Sequence, residues 1–272
     1  MFSFTLFDVG HGFCAYAATP GGSNILFDCG YDIDLQFYPS TYFSDRDITR
    51  IHKLVISHFD QDHVSDLPSL REVLDFDVIL RNKSIPGIFI RNEKQSGGII
   101  TTAMASALDM HETWIYPTTI QANYGGVKVT HFSNSYPDFT DMNNLSVVTF
   151  LEYEGCGIVI PGDLERAGWE ALLKLPSFCQ CLRETNFFIA SHHGRNEGYC
   201  EEVFDYCDPF IVLLSDKNIV HETQEHDYTK HASGIEWSNG QTRRVLTTRN
   251  DGHIQINKET GQTIQVISNL VL

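Results

Sequence analysis

Ser57-His58-Phe59-Asp60-Gln61-Asp62-His63 is the stretch on which the reading of this chain turns. Four candidate metal ligands, His58, Asp60, Asp62 and His63, fall within six residues. They follow Ile51–Ser57, whose apolar residues read as a strand. A loop leaving a strand end can turn several side chains toward one point. Imidazole nitrogen combined with carboxylate oxygen suits Zn²⁺, Mn²⁺ or Fe²⁺. An exposed polar turn would account for the Asp and Gln residues, but it accounts poorly for two His.

Two later stretches have the same form, a polar cluster after an apolar strand. They are Pro161-Gly162-Asp163 and Ser191-His192-His193-Gly194. A carboxylate at Asp163 can bridge two ions, and a histidine of the second stretch can complete a site. Each is weak alone. Their combination with the first stretch is specific.

Between these landmarks the chain alternates strands and helices. Apolar alternation predicts strands over Phe2–Phe7, Phe13–Ala18 and Asn24–Asp28, then near Asp77–Leu80 and Val127–Phe132. A hairpin is predicted from Ser146–Tyr153 and Gly157–Ile160, and further strands over Asn186–Ala190 and Phe210–Leu214. Helices are expected over Ser65–Leu74, Gly97–His111 and Leu164–Leu175. The Asn250-Asp251-Gly252 turn predicts a closing hairpin of Arg243–Thr248 with Gly252–Ile256. The pattern fits sheets covered by helices in a single domain over 1–272. Residues 75–125 form a candidate substrate-facing insert, with Arg81, Lys83, Arg91 and Lys94 as its basic cluster.

Composition narrows the function. The chain has 272 residues, 42% hydrophobic and 20% charged, which excludes a disordered or fibrous chain. Its net charge of −16 disfavours a general nucleic-acid-binding module. It does not disfavour an enzyme whose metal ions supply the local positive charge. Seven scattered cysteines without a CxxC pair argue against a zinc ribbon and for buried thiols in a reducing compartment. Cys179 and Cys181 form a lone CxC. The N-terminus lacks a signal-peptide pattern, and no run of about 18 apolar residues occurs. A cytoplasmic protein without membrane association is the expectation.

His58-x-Asp60-x-Asp62-His63 is similar to the HxHxDH motif of metallo-β-lactamase-fold hydrolases, with Asp for the second His. More narrowly, the chain resembles the hydrolase domain of ComEC-type competence proteins. Phe7-Asp8-Val9-Gly10-His11-Gly12 is similar to their DVGQG start, and Ser57 to Leu67 to their SHxDxDHxGGL. Asn143-Asn144-Leu145-Ser146 resembles their NNxS, Ser191-His192-His193-Gly194 their SHHG, and Thr248-Arg249-Asn250-Asp251-Gly252 their closing hairpin. Ser65-Asp66 stands where they carry Gly-Gly, and Arg195 where they carry a small Ser.

The resemblance implies an α/β fold, a four-layer αββα sandwich holding two divalent ions, Mn²⁺ or Zn²⁺. Carried onto this chain, His58 and Asp60 would serve the first ion, Asp62 and His63 the second, and Asp163 would bridge. His192 or His193 would complete the second site. The superfamily's third-motif His has no clear counterpart. Asn143 and Asn144, twenty and nineteen residues before Asp163, and His131 are its candidates. Asp62, His63 and Asp163 would be catalytic, and Arg195, His221 and His226 are substrate-contact candidates. The implied activity is that of a phosphodiesterase or nuclease acting on DNA, RNA or nucleotides through a hydroxide activated by two metals. A long nucleic acid would require a basic protein partner or a local basic groove. The competing readings are a phosphoesterase on a small phosphorylated molecule, such as a cyclic nucleotide or phosphorylcholine ester, and a metal-impaired binding or regulatory module.

Overall fold

The computed structural model describes residues 1–96, 98–114, 122–217, 223–237 and 240–269, with Lys94 and Ser96 described as backbone only. The strands are β1 (Phe2–Leu6), β2 (Ala15–Ala18), β3 (Asn24–Phe27), β4 (Arg50–Val55), β5 (Asp75–Leu80), β6 (Lys128–Phe132), β7 (Val148–Tyr153), β8 (Cys156–Ile160), β9 (Phe187–Ile189), β10 (Ile211–Leu214), β11 (Ile235–Glu236), β12 (Thr242–Arg243), β13 (Val245–Thr247), β14 (Ile254–Lys258) and β15 (Gln265–Ile267). The α-helices are α1 (Pro39–Ser44), α2 (Gln61–Val64), α3 (Leu67–Val73), α4 (Gly87–Ser96), α5 (Thr102–Thr113), α6 (Arg166–Leu172), α7 (Pro176–Arg183), α8 (Glu225–His231) and α9 (Thr248–Asp251).

Side-chain alternation along the strands builds the layers. Phe2, Phe4 and Leu6 of β1 meet Ile158, Ile160, Phe187, Ile189, Ile211 and Leu213 of the opposite sheet in one buried core. The alternate residues face outward. Leu26, Ile51, Leu54 and Ile79 pack under helices that contribute Leu67, Leu70, Ala107 and Leu108. On the far side Val159, Phe188, Val212 and Leu214 pack with Trp169, Leu172, Phe178 and Tyr228. Three cores between four layers are the αββα sandwich that the resemblance implied.

The first sheet runs β15-β14-β1-β2-β3-β4-β5 and the second β13-β10-β9-β8-β7-β6. Parallel pairing joins β3 to β4 and β4 to β5 in the first sheet. It also joins β8 to β9, β9 to β10 and β10 to β13 in the second. The carboxyl ends of these parallel strands carry the chemistry. Asp28 follows β3, His58 follows β4, Asp163 follows β8, His192 and His193 follow β9, and Ser215 follows β10. Open α/β sheets place ligands beyond such ends because loops converge there without interrupting the ladder.

The closing hairpin expected at Asn250-Asp251-Gly252 does not form. β13 belongs to the second sheet, where it pairs with β10, whereas β14 pairs with β1 in the first. The Asp-Gly signal instead ends α9. Gly252 sits at φ 60° with its N–H on the Thr248 carbonyl. The Asp251 carboxylate accepts the Thr247 N–H at 3.0 Å and the Arg243 guanidinium at 2.9 Å. Those bonds turn the chain from one sheet to the other.

Residues 75–114 supply β5, α4 and α5, and their Ile79, Ile85, Ile90, Ala103 and Met110 belong to the outer core of the first sheet. Arg81, expected to face substrate, is buried and donates to the carbonyls of Ile79 and His111 at 3.0 and 2.8 Å. Arg91 pairs with Glu112. All seven cysteines are free, and the CxC pair lies on α7 as thiols within the second outer layer. No helix among the described residues is long and apolar enough to cross a membrane.

Candidate metal centre

β4 delivers the first ligands. Its extended backbone continues through His58 to Asp60, which has β geometry at the start of α2. The short helix then turns His63 inward while Asp62 stays part-exposed. Backbone bonds hold that turn from two sides. Phe13 N–H reaches the Asp62 carbonyl at 3.2 Å, and Cys29 N–H reaches the His63 carbonyl at 2.8 Å. Gly30 is required here, because a Cβ on it would lie 2.1 Å from the Asp62 carbonyl oxygen.

The second sheet supplies the rest. Gly162, at φ 62° after β8, makes the turn that presents Asp163. A Cβ there would lie 2.7 Å from Ser57 Cβ, which explains the Pro-Gly-Asp spelling. After β9 both His192 and His193 take positive φ, 51° and 55°. Two consecutive non-glycine residues in that region are costly, of order 1–3 kcal/mol each, and such strain collects at functional sites. The turn is the reason both rings approach Asp163.

Asp62, His63, Asp163 and His193 each bring a ligand atom into a group whose members all lie within 4.8 Å of one another. His63 Nε2 is 3.1 Å from Asp163 Oδ1 and 3.4 Å from His193 Nε2. His193 Nε2 is 3.3 Å from Asp62 Oδ2 and 3.5 Å from Asp163 Oδ2. His58 and His192 approach the same Asp163 Oδ2, at 3.8 and 3.9 Å. His58 Nε2 is buried without a hydrogen-bond partner. An orphaned imidazole nitrogen facing a carboxylate, beside a four-residue His/Asp group, fits a metal centre. Asp60 lies outside the four-residue group, although its charge acts on His58.

Electrostatics agree with that fit. Burial opposes charge on His63, yet Asp163 and Asp28 hold its pKa well above the usual imidazole value. Burial likewise opposes charge on His193, which Asp163 and Asp62 raise. Asp163 is held well below the usual carboxylate range despite its burial, by His63 and His193. Carboxylates that stabilise imidazolium so strongly would also stabilise a divalent cation in its place.

The structure thus brings together most of the sequence candidates. It gives His193 the place with Asp62 and His63, while His58 and His192 both approach Asp163 Oδ2 from outside that group. The candidates for the missing third-motif ligand go elsewhere. Asn144 bonds Asp141 and Gly168, and His131 bonds Thr149 Oγ1 at 2.9 Å and Lys53 Nζ at 3.2 Å. Asn143 donates to Glu165, whose Oε1 is 3.6 Å from His192 Nδ1, so it reaches the centre only through a carboxylate. Arg195 spans the mouth, with Nη2 2.9 Å from His11 Nε2 and Nη1 3.4 Å from His192 Nε2. His226 lies on α8. His221 lies outside the described residues.

Sequence reasoning missed two participants. Asp28 accepts from Ser57 N–H and Oγ at 2.7 and 2.6 Å and sits 2.8 Å from His63 Nδ1. It fixes the ring so that Nε2 faces the cluster, the usual partner of a ligating histidine. Its signal was an Asp at a strand end before Cys-Gly. His11 lies 3.5 Å from Asp62 Oδ2, with its ring 4.6 Å from that of His193. Burial, then His193, lowers its pKa to about 4. Its place in the Phe7–Gly12 motif was the available signal.

Residues 8–89 match the family described as the Metallo-beta-lactamase superfamily. ComE operon protein 3 of Bacillus subtilis (strain 168) is 22% identical over 220 residues, 79% of this chain. The chain spans about a quarter of that relative's length, 25%. Among solved structures, a mutant of the beta-hydroxylase CmlA, a protein of Streptomyces venezuelae, is similar at 13% identity and TM-score 0.51, over 94% of this chain and 54% of that one. Its name is that of a hydroxylase, so the likeness speaks for the fold and not for the reaction. Igni18, a metallo hydrolase from Ignicoccus hospitalis KIN4/I, is similar at 13% identity and TM-score 0.46, over 94% of this chain and all of that one (100%).

Proposed function

From the premise of a metallo-β-lactamase-fold chain of the metal-dependent hydrolase class, we propose that this protein hydrolyses phosphodiesters. The observation that carries the reading is the convergence of Asp62, His63, Asp163 and His193, with a guanidinium at its mouth. Asp62, His63, Asp163 and His193 would hold one divalent ion, and His58 and His192 are the residues available to a second, with Asp163 common to both. Bound ions of this kind supply Lewis acidity and an ionised water near neutral pH.

The chain's own groups do the remainder. Asp28 orients His63, and Ser215 does the same for His193 through its carbonyl, 3.0 Å from Nδ1. Arg195 offers paired N–H donors that suit two oxygens of a phosphoryl group. His11, kept neutral by burial, accepts from that guanidinium through Nε2, which also lies 3.5 Å from Asp62 Oδ2, and so holds Arg195 beside the site.

The substrate we favour is a small phosphodiester. The chain carries −16, Arg81 is spent on carbonyls, and Arg91 is paired. A long polyanion finds no basic track among the residues that form this site. Cleavage of DNA, RNA or a nucleotide is the second reading. It rests on the resemblance to ComEC-type hydrolase domains, and with a long strand it calls for a basic protein partner.

Hydrolysis of bis-p-nitrophenyl phosphate by metal-stripped protein, with Mn²⁺ or Zn²⁺ restored, tests the reaction. Turnover should require the metal and fall by about 10³-fold or more in Asp62→Ala. Absence of turnover with either ion overturns the proposal, and fewer than one ion bound per chain would favour the binding-module reading. Comparing single-stranded DNA with cyclic nucleotides and small diesters then separates the two substrate classes.

A further inference from the structure

Four imidazoles approach Asp163, each through Nε2. His63 and His193 come to 3.1 and 3.5 Å, and His58 and His192 to 3.8 and 3.9 Å. A neutral ring that offers Nε2 to a cation carries its proton on Nδ1, so the partner of Nδ1 decides whether the ring can serve.

Three of those partners act as acceptors. Asp28 accepts from His63 Nδ1 at 2.8 Å, and the Ser215 carbonyl from His193 Nδ1 at 3.0 Å. Ser57 Oγ gives its own proton to Asp28 and so accepts from His58 Nδ1 at 3.0 Å.

His192 has the same need and a looser partner. Its Nδ1 is buried without a hydrogen bond. The carboxylate that faces this nitrogen is Glu165, with Oε1 at 3.6 Å. On the other side of the ring Arg195 Nη1 lies 3.4 Å from Nε2. A guanidinium can only donate, so Nε2 is the accepting nitrogen here too, and the proton belongs on Nδ1. A closure of about 0.6 Å would bring Nδ1 and Glu165 to ordinary hydrogen-bond length.

Glu165 is held for that contact. It stands at the N-cap of α6, where short polar side chains are favoured because they reach back to the helix N–H groups. The Glu165 side chain makes no such bond. Its carbonyl accepts the Trp169 N–H at 3.0 Å, which ties its backbone to α6. Asn143 Nδ2 donates to Oε1 at 3.0 Å, which fixes the carboxylate from a second segment. Asn143, a candidate for the missing third-motif ligand, therefore acts on the centre through Glu165 and His192.

We propose that Glu165 is the positioning residue of His192, as Asp28 is of His63, and that with Asn143 it secures the ion available to His58, His192 and Asp163. This rests on the metal-centre reading and is independent of the substrate. Removing the carboxylate leaves the His192 Nδ1 proton without an acceptor and takes a negative charge from beside a cation site. Both losses fall on that ion and spare the one held by Asp62, His63, Asp163 and His193.

The test titrates metal-stripped protein with Mn²⁺ and with Zn²⁺ against a chelator, in wild type, Glu165→Ala and Glu165→Gln, and counts the ions bound per chain. Wild type should bind two. Glu165→Ala should weaken one of them by about 10–100-fold and leave the other unchanged, and the unchanged ion reports that the variant is folded. The Glu165 side chain is 27% exposed, so its truncation opens no cavity in the core. Glu165→Gln keeps an acceptor oxygen and should recover part of the loss. Nitrogen NMR of the imidazoles in metal-stripped wild type should place the His192 proton on Nδ1, and Glu165→Ala should shift the ring toward the other tautomer. A wild type that binds a single ion, equal weakening of both ions, unchanged affinities in Glu165→Ala, or a wild-type His192 proton on Nε2 overturns the proposal. No substrate enters these measurements, so each of those results leaves the phosphodiesterase reading standing. Binding of no ion at all overturns the metal centre together with this proposal.

Discussion

The two sheets contribute to the centre in different ways. The first sheet gives His58, Asp62 and His63 in one run, on a strand end and a helical turn with ordinary dihedrals, buttressed by Asp28. The second gives Asp163, His192 and His193 from two loops, through a positive-φ glycine and two positive-φ histidines. Asp28 buttresses the first set, whereas a strained backbone presents the second, with the Ser215 carbonyl holding the His193 ring. A compact run can be positioned by its own secondary structure. Residues drawn from separate loops must be forced into place by the surrounding packing.

Substitutions that touch one half at a time sharpen this contrast. The largest effect is expected from Asp28→Asn. Loss of the carboxylate on His63 Nδ1 should weaken metal affinity by about 10–100-fold, read by competition with a chelator. An unchanged affinity would mean that packing alone orients the ring. His192→Gly should act in the opposite sense on stability. Relief of a strained dihedral should raise the stability of the metal-stripped protein by about 1 kcal/mol, while metal-dependent turnover falls. A lower melting temperature would show that the His192 contacts outweigh its strain.

The smallest effect at neutral pH belongs to His131, which lies away from both sets. Burial, then Lys53, lowers its pKa to about 3, so the folded protein keeps it neutral. A depressed folded pKa contributes stability that is present above the unfolded value of about 6.5 and is lost as pH falls toward 3. His131→Gln should change stability at pH 7 by less than about 1 kcal/mol and make unfolding less steep in acid. An acid limb as steep as wild type's would assign that loss to other groups.

The compact half was the legible half. Four candidate ligands in six residues after an apolar strand left little room for another meaning, and strand alternation fixed most of both sheets. Asp28 was not legible because its role depends on β3 lying beside β4, a pairing no local pattern states. His11 was hidden for the same reason, since it meets Asp62 only through folding. Arg81 read as a substrate contact because charge in a sequence carries no sign of the carbonyls that will enclose it. The His192–His193 pair was visible as a pair. Their division of labour was not, because it depends on two dihedrals. α4 and α7 went unpredicted, α4 for want of a clear apolar period and α7 because the good helix before it was drawn through Leu175. The Asp-Gly turn misled because a helix end and a hairpin use the same two residues.

The crossing at Thr248–Gly252 also bears on how the molecule is made. It carries the chain from the second sheet back to the first, where β14 lies against β1 in register from Phe2↔Lys258 to Leu6↔Ile254. β1 therefore has β14, one of its two neighbours, far along the chain from it. Until β14 arrives, β1 has an open edge and the inner core lacks Ile254 and Ile256. Such remote pairing slows folding and leaves nascent chains prone to pairing with one another. The Arg243–Asp251 clasp that directs the crossing thus bears on when the inner core closes, as well as on where β14 lies.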